Sequence, residues 1–105
     1  MSETFSGEFE ARDEFKSLID TFMQIRDPEV RTDFVRGIKE TDRLRAAELY
    51  QTDVPFQIDV VKMIKDCCHQ QWYEVAEDIG KAMGVPDGEL HQIIEQQRGP
   101  GQLAA

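Results

Sequence analysis

The sequence is poor in cysteine, and it lacks the long apolar runs that would place it in a membrane. Its two cysteines, Cys67 and Cys68, are adjacent and cannot form a disulfide framework. No run of about eighteen apolar residues occurs, so no membrane span is predicted. The first residues show neither the basic nor the apolar region of a secretory signal. We therefore expect a protein of the reducing cytoplasm.

Positive charge is also scarce. The chain has 12 Lys and Arg against 21 Asp and Glu, which gives a net charge of −9 and a pI near 4.6. Nucleic-acid-binding domains usually carry a basic patch, because phosphates must be neutralised. Nucleic acid is therefore disfavoured as a partner, while acidity alone mainly promotes solubility.

Motifs for catalysis and for cofactors are missing as well. The run Cys67-Cys68-His69 has neither the spaced cysteine pairs of a zinc site nor the Cys-x-x-Cys of a redox centre. Free cysteine usually packs in a core, and we predict that role here. No serine stands in a recognisable nucleophile–base motif, and no phosphate-binding glycine loop occurs. We expect no enzyme, no cofactor and no metal.

What the sequence does contain is helical periodicity along nearly its whole length, with no convincing strand pattern. Asp27-Pro28 indicates a helix start, Thr41 or Asp42 can cap a third helix, and residues 52–55 form a clear interruption. We predict an all-α, compact single-domain bundle of five or six short helices. The bundle should span residues 9–97, with its last helix ending near Gln97 and with flexible tails at residues 1–8 and 98–105.

The apolar positions of these helices define the expected core. The predicted core residues are Phe15, Leu18, Ile19, Phe22, Phe34, Leu44, Phe56, Val60, Ile64, Trp72, Val75, Ile79, Leu90 and Ile93.

Residues 72–95 carry the most informative pattern, a helix, a tight turn and a second helix. Gly84 can adopt the positive φ that closes the first helix, and Pro86 fits the first turn of the second. Helix pairs of this kind bind DNA in some proteins and other helical proteins in others.

The run from residue 60 to 105 resembles part of a death domain. The matching residues are Trp72, Ala76, Ile79, Gly80, Leu90, Ile93 and Glu95. In that family the polar faces of such helices bind other death-fold domains, often in helical assemblies, and no catalysis is involved. The resemblance therefore implies an adaptor that acts through protein–protein contacts.

The same helix pair also resembles the helix-turn-helix of repressors, whose second helix enters the major groove. The matching residues are Ile79, Gly80, Met83, Gly84, Val85, Leu90 and Ile93. The second helix has no lysine or arginine before Arg98 and would present acidic residues that phosphates repel. A DNA-binding transcriptional regulator is thus one alternative. A small acidic inhibitor or DNA mimic of phage type is another, supported only by the net charge.

We predict a non-catalytic regulatory or adaptor protein that acts through protein–protein interaction, and that self-associates if its basic and acidic ends meet. The first predicted contact surface consists of Glu74, Glu77, Asp78, Glu89, His91, Gln92 and Glu95. The second is a basic strip of Arg31, Arg36, Lys39 and Arg43.

Overall fold

The computed structural model describes residues 15–104, and for residues 99–104 it describes the backbone alone. This part of the chain contains six helices and no strand, which confirms the predicted all-α bundle. The helices are α1 (15–24), α2 (Pro28–Arg36), α3 (Glu40–Thr52), α4 (Val54–His69), α5 (Tyr73–Ala82) and α6 (Asp87–Ala104). The tail predicted at residues 1–8 lies outside the described range.

Two aspartates cap helices, Asp27 as predicted and Asp53 within the interruption predicted at residues 52–55. The carboxylate of Asp27 accepts a 2.9 Å hydrogen bond from the backbone N–H of Glu29, and Pro28 follows in the first turn of α2. The carboxylate of Asp53 accepts one of 3.2 Å from the backbone N–H of Phe56 at the start of α4. Each bond satisfies an amide that the helix leaves unpaired.

The predicted cap of α3 is wrong. The N-cap residue is Lys39, which makes no side-chain capping bond. Thr41 and Asp42 lie inside the first turn of α3, where their own backbone is already helical. A side chain there cannot act as an N-cap, since that position requires a non-helical backbone just before the helix.

Helix α5 ends in the turn that the sequence predicts. The N–H of Val85 donates to the carbonyl of Gly80 (3.0 Å), and that of Gly84 donates to the carbonyl of Lys81 (3.2 Å). These two bonds define a Schellman motif, in which Gly84 has φ +88°. A Cβ atom at Gly84 would lie 2.3 Å from the Cα atom of Ala47, so the turn also requires glycine for close packing on α3.

Helix α4 ends in the same motif without a glycine. The N–H of Trp72 donates to the carbonyl of Cys67 (2.8 Å), and that of Gln71 donates to the carbonyl of Cys68 (2.9 Å). Gln71 has φ +66°, the left-handed conformation that is uncommon outside glycine. This turn places Trp72 both at the end of α4 and at the N-cap of α5.

Helix α4 supplies the centre of the core and packs against α3, α5 and α6. Most predicted core residues are buried, but Leu44 is 63% exposed and was assigned to the core wrongly. Helix α3 buries Ala46 and Tyr50 instead. Leu44 and Ala46 are two positions apart, which is about 200° around a helix, so Leu44 must face away.

Four other predicted core residues are only partly buried and pack against the rim of the core: Leu18, Phe34, Trp72 and Ile93. Several residues that the prediction left out are fully buried: Ala46, Met63, Ala76, Ala82 and Met83.

Helix α6 continues to Ala104, so the prediction that it ends near Gln97 is wrong. The Gly99-Pro100-Gly101 triplet indicated an end because proline and glycine disfavour helix interiors. The backbone nevertheless stays helical through all three residues. Whether residues 98–105 are flexible stays a prediction. Within residues 15–104, no helix has both the length and the apolar character that a membrane span requires.

Candidate functional site

The first predicted contact surface lies on the outside of α5 and α6. All of its side chains are exposed, namely Glu74, Glu77, Asp78, Glu89, His91, Gln92 and Glu95. A cavity of about 190 Å³ lies between the two helices, with Glu77, Asp87 and His91 among its lining residues and the buried Leu90 and Ile94 also contributing. The structure therefore brings these residues together on one pair of helices. We call this set, with Asp87, the acidic face.

Close packing holds the two helices of the acidic face at a fixed separation. A Cβ atom at Gly80 would lie 2.4 Å from Cδ1 of Leu90. Any residue other than glycine at position 80 would therefore force the Leu90 side chain or one of the two helices to shift. The α5–α6 turn is fixed in addition by the contact between Gly84 and Ala47. The acidic face is consequently built on a well-defined scaffold.

Two members of the acidic face have intramolecular partners, and one of them is Glu95, which forms a 3.5 Å ion pair with Arg98 on the same helix. The hydroxyl of Tyr50, on α3, donates a hydrogen bond to the carboxylate of Glu89. Burial of the ring, and then the nearby Glu89 carboxylate, raise the pKa of Tyr50 above its ordinary value. Tyr50 therefore stays protonated at neutral pH and holds Glu89 in place.

The second predicted surface, the basic strip, is not formed as expected. Arg31 is completely buried, although it was predicted as a partner contact. Its guanidinium is held by polar groups on several elements: the carbonyls of Ile25 (2.9 Å) and Met23 (3.2 Å), the Sγ atom of Cys67 (3.3 Å) and the carboxylate of Asp66 (2.8 Å). A charge this deep is tolerated because it is paired and hydrogen-bonded. It cannot meet a partner in this fold.

Arg43 is also engaged within the chain. Its Nε donates to the carbonyl of Ile38 (3.0 Å) and its Nη2 to that of Val35 (2.8 Å), and the side chain is half-buried. Its guanidinium thus satisfies carbonyls at and just beyond the end of α2. Arg36 and Lys39 remain exposed, so only these two members of the strip can meet a partner as predicted.

A second candidate site lies where α2, α5 and α6 meet, and the sequence did not indicate it. It is an open cleft of about 520 Å³. Its lining residues are Pro28, Glu29, Thr32, Gln71, Trp72, Tyr73, Glu74, Val75 and Arg98. We call it the Trp72 cleft. It was missed because Trp72 shares the helical spacing of Val75 and Ile79 and so was assigned to the core.

Two arginines contact the aromatic rings of the Trp72 cleft. The buried guanidinium of Arg31 lies 5.1 Å from the centre of the Trp72 ring and 4.5 Å from that of Phe22. The guanidinium of Arg98 lies 4.8 Å from the centre of the Tyr73 ring. All three distances are typical of cation–π contacts, which help to fix the positions of the rings.

The paired cysteines are buried, which confirms that they pack in the core. Burial raises the pKa of the Cys67 thiol to about 11, against the opposing effect of the neighbouring Arg31 charge. Such a thiol is protonated and poorly nucleophilic at neutral pH. Among residues 15–104 no group of three or more His, Cys, Asp or Glu side chains is arranged to hold a metal ion.

Comparison of the chain with protein-family models, with curated proteins and with solved structures found no match.

Proposed function

We propose that this chain is a non-catalytic regulatory or adaptor protein that binds another polypeptide through the acidic face. The observation that carries the proposal is an exposed surface on a closely packed helix pair, in which several carboxylates surround one lysine, Lys81. Interfaces of this kind attract a basic partner surface, raise the association rate and disfavour wrong partners. The partial resemblance to death domains, whose helices bind one another through polar faces, supports the same function.

The second candidate function is DNA binding by a helix-turn-helix. The close approach of Gly80 to Leu90 and the positive φ of Gly84 favour it, because both suit a tightly joined helix pair. Charge opposes it, because α6 would present carboxylates to the phosphates and has no basic residue before Arg98.

Affinity capture with two matched variants tests the proposal. One variant neutralises α5 of the acidic face with Glu74→Gln, Glu77→Gln and Asp78→Asn. The control carries Asp33→Asn, Glu40→Gln and Glu48→Gln, which remove the same charge from exposed positions on α2 and α3. We expect the wild-type chain and the control to retain a protein from an extract of the host cells, and the α5 variant to lose it.

Titration with duplex DNA at low salt separates the alternatives. Tight binding of duplex DNA by the purified wild-type chain, with no other protein present, would favour the DNA-binding regulator and contradict the proposal. Equal capture by all three proteins would show that the acidic face does not contact the partner. A captured DNA-binding enzyme that duplex DNA displaces would instead identify a small acidic inhibitor.

Self-association is a separate part of the proposal. Arg36 and Lys39 are exposed and can meet the acidic face of a second copy. We expect the solution mass to rise with protein concentration at low salt and to return to that of a monomer at high salt, because salt screens exposed charges. A constant monomer mass across both series would rule out self-association, without affecting binding to a different protein.

A further inference from the structure

The Trp72 cleft lies beside the acidic face and shares Glu74 with it. We propose that this cleft receives a cationic side chain, a lysine or an arginine, from the partner polypeptide. This inference rests on the proposed function, because it names the group through which a basic partner would be anchored.

Charge is the first argument for this occupant. Glu29 and Glu74 both line the cleft and are both exposed. Within the part of the chain that the structure describes, neither carboxylate takes part in an ion pair or a hydrogen bond. A cation placed between them gains two attractive interactions, each stronger inside a cleft than on an open surface.

The aromatic rings give the second argument. Arg98 already lies over the Tyr73 ring, and its nearest carboxylate oxygen, on Glu95, is 3.5 Å away. This contact shows that the edge of the cleft accommodates a guanidinium on an aromatic face. Arg98 is 42% exposed in its side chain, so an incoming cation can displace it at small cost.

Trp72 contributes an apolar packing surface more than a cation–π attraction. The Arg31 guanidinium beneath the indole weakens the attraction of its other face for a second cation. The ring is nevertheless an apolar wall against which the methylene groups of a lysine or arginine can pack. The contact with Arg31 holds the indole in place before binding, which lowers the entropic cost.

An anionic ligand is the main alternative occupant, because the first turns of α2 and α5 both lie at the cleft. It is disfavoured, since it would meet two carboxylates and only one exposed arginine there. The experiment below includes this alternative as an outcome.

Nuclear magnetic resonance titration with short blocked peptides provides the test. The probes are acetyl-Gly-Arg-Gly-amide, its lysine counterpart, its uncharged citrulline counterpart and its glutamate counterpart. The readout is the indole N–H of Trp72, the one tryptophan of the chain, together with the amides of residues 71–75. We expect saturable shifts in the millimolar range with arginine and lysine, and none with citrulline or glutamate.

Charge variants locate the site. Glu29→Gln and Glu74→Gln should each weaken arginine-peptide binding by up to about fivefold, as expected for one exposed ion pair. Glu48→Gln, an equal charge change on α3, should leave the affinity within about twofold. Arg98→Gln should strengthen binding because it removes the competing guanidinium, whereas Arg45→Gln, also exposed but on α3, should not.

Three results would overturn the inference: no saturable shift with the cationic peptides, equal shifts with citrulline, or equal weakening by Glu29→Gln and Glu48→Gln. Shifts with the glutamate peptide alone would assign the cleft to anions. A negative result in the peptide titration can be told apart from failure of the proposed function. Loss of protein capture on neutralising Glu77 and Asp78 alone, with no peptide binding in the cleft, would retain the function and reject the anchor.

Discussion

The guanidinium of Arg31 lies 5.1 Å from the centre of the Trp72 ring, on the buried side of the indole. A fully buried cation therefore supports an aromatic ring whose other parts line a surface cleft. The same guanidinium forms an ion pair of 2.8 Å with Asp66, whose side chain is 32% exposed. Arg31 thus connects the core with the wall of the Trp72 cleft.

Replacement of Arg31 should strongly destabilise the fold. Arg31→Ala leaves the carbonyls of Met23 and Ile25 without their donor and removes the partner of Asp66. We expect the free energy of unfolding to fall by about 3–5 kcal/mol, the usual cost of breaking a buried ion pair. Urea denaturation followed by circular dichroism measures it.

The matched control for this change is Arg36→Ala, on the same helix but exposed. It should alter stability by no more than about 0.5 kcal/mol, as is usual for surface positions. Similar losses in both variants would mean that Arg31 is not buried as described.

Glycine-to-alanine substitutions should have opposite effects at two positions near the α5–α6 turn. Gly84→Ala introduces a Cβ atom 2.3 Å from the Cα atom of Ala47 and forces a non-glycine residue to φ +88°. We expect a loss of about 3 kcal/mol or more, from backbone strain and overpacking together. Gly88→Ala, with no atom within 4 Å of the added Cβ, should stabilise α6 by about 0.5–1 kcal/mol. Thermal unfolding of both variants provides the comparison, and a gain at both positions would contradict the packing on α3.

The contact between α5 and α6 can be tested by a double-mutant cycle. Gly80→Ala alone should cost about 1–3 kcal/mol, because its Cβ atom would lie 2.4 Å from Leu90 Cδ1. In a Leu90→Ala background the same change should be neutral or stabilising, because the clash is gone and alanine favours the helix. The expected coupling is at least about 1 kcal/mol, and strict additivity would show that the two residues do not touch.

Local signals in the sequence were sufficient to predict the helices and several of the positions where they begin or end. Asp27-Pro28 begins α2 as its residue types indicate, and Gly84 takes the positive φ that its place after an apolar stripe requires. Each of these features depends on residues only a few positions apart, which is why a single sequence reveals them.

Features set by contacts between distant segments could not be predicted in this way. Arg31 stands between Glu29 and Asp33 and has the pattern of a solvated ion pair, whereas its actual partners are on α4, at the end of α1 and in the α1–α2 connection. Trp72 has core spacing but lies at the meeting point of three helices, where part of the ring stays accessible. No signal in the sequence specifies either arrangement.

The turn between α4 and α5 offers a stabilising substitution. Gln71 adopts φ +66°, which costs a non-glycine residue about 1–2 kcal/mol relative to its preferred conformations. Gln71→Gly should relieve this strain and raise the free energy of unfolding by about 0.5–1 kcal/mol, after the greater entropy of glycine in the unfolded chain is counted.

The control is Gln51→Gly, at an exposed position inside α3, which should instead destabilise the protein by about 1 kcal/mol. Chemical denaturation measures both, and a loss at position 71 comparable to that at position 51 would contradict the left-handed conformation.

Alkaline pH should destabilise the protein through Cys67. Burial raises the pKa of this thiol from 9.0 to about 11 in the folded state. The unfolded chain releases the proton first, so the stability that comes from burying the neutral thiol is complete below about pH 9. It is lost as the pH rises towards about 11, at a slope of at most about 1.4 kcal/mol per pH unit.

Cys67→Ala removes this one titration and leaves the lysines and tyrosines unchanged, so the stability of this variant should fall less steeply over the same interval. Urea denaturation of both proteins between pH 8 and pH 11 makes the comparison, and parallel profiles would show that the pKa of Cys67 is not raised by folding.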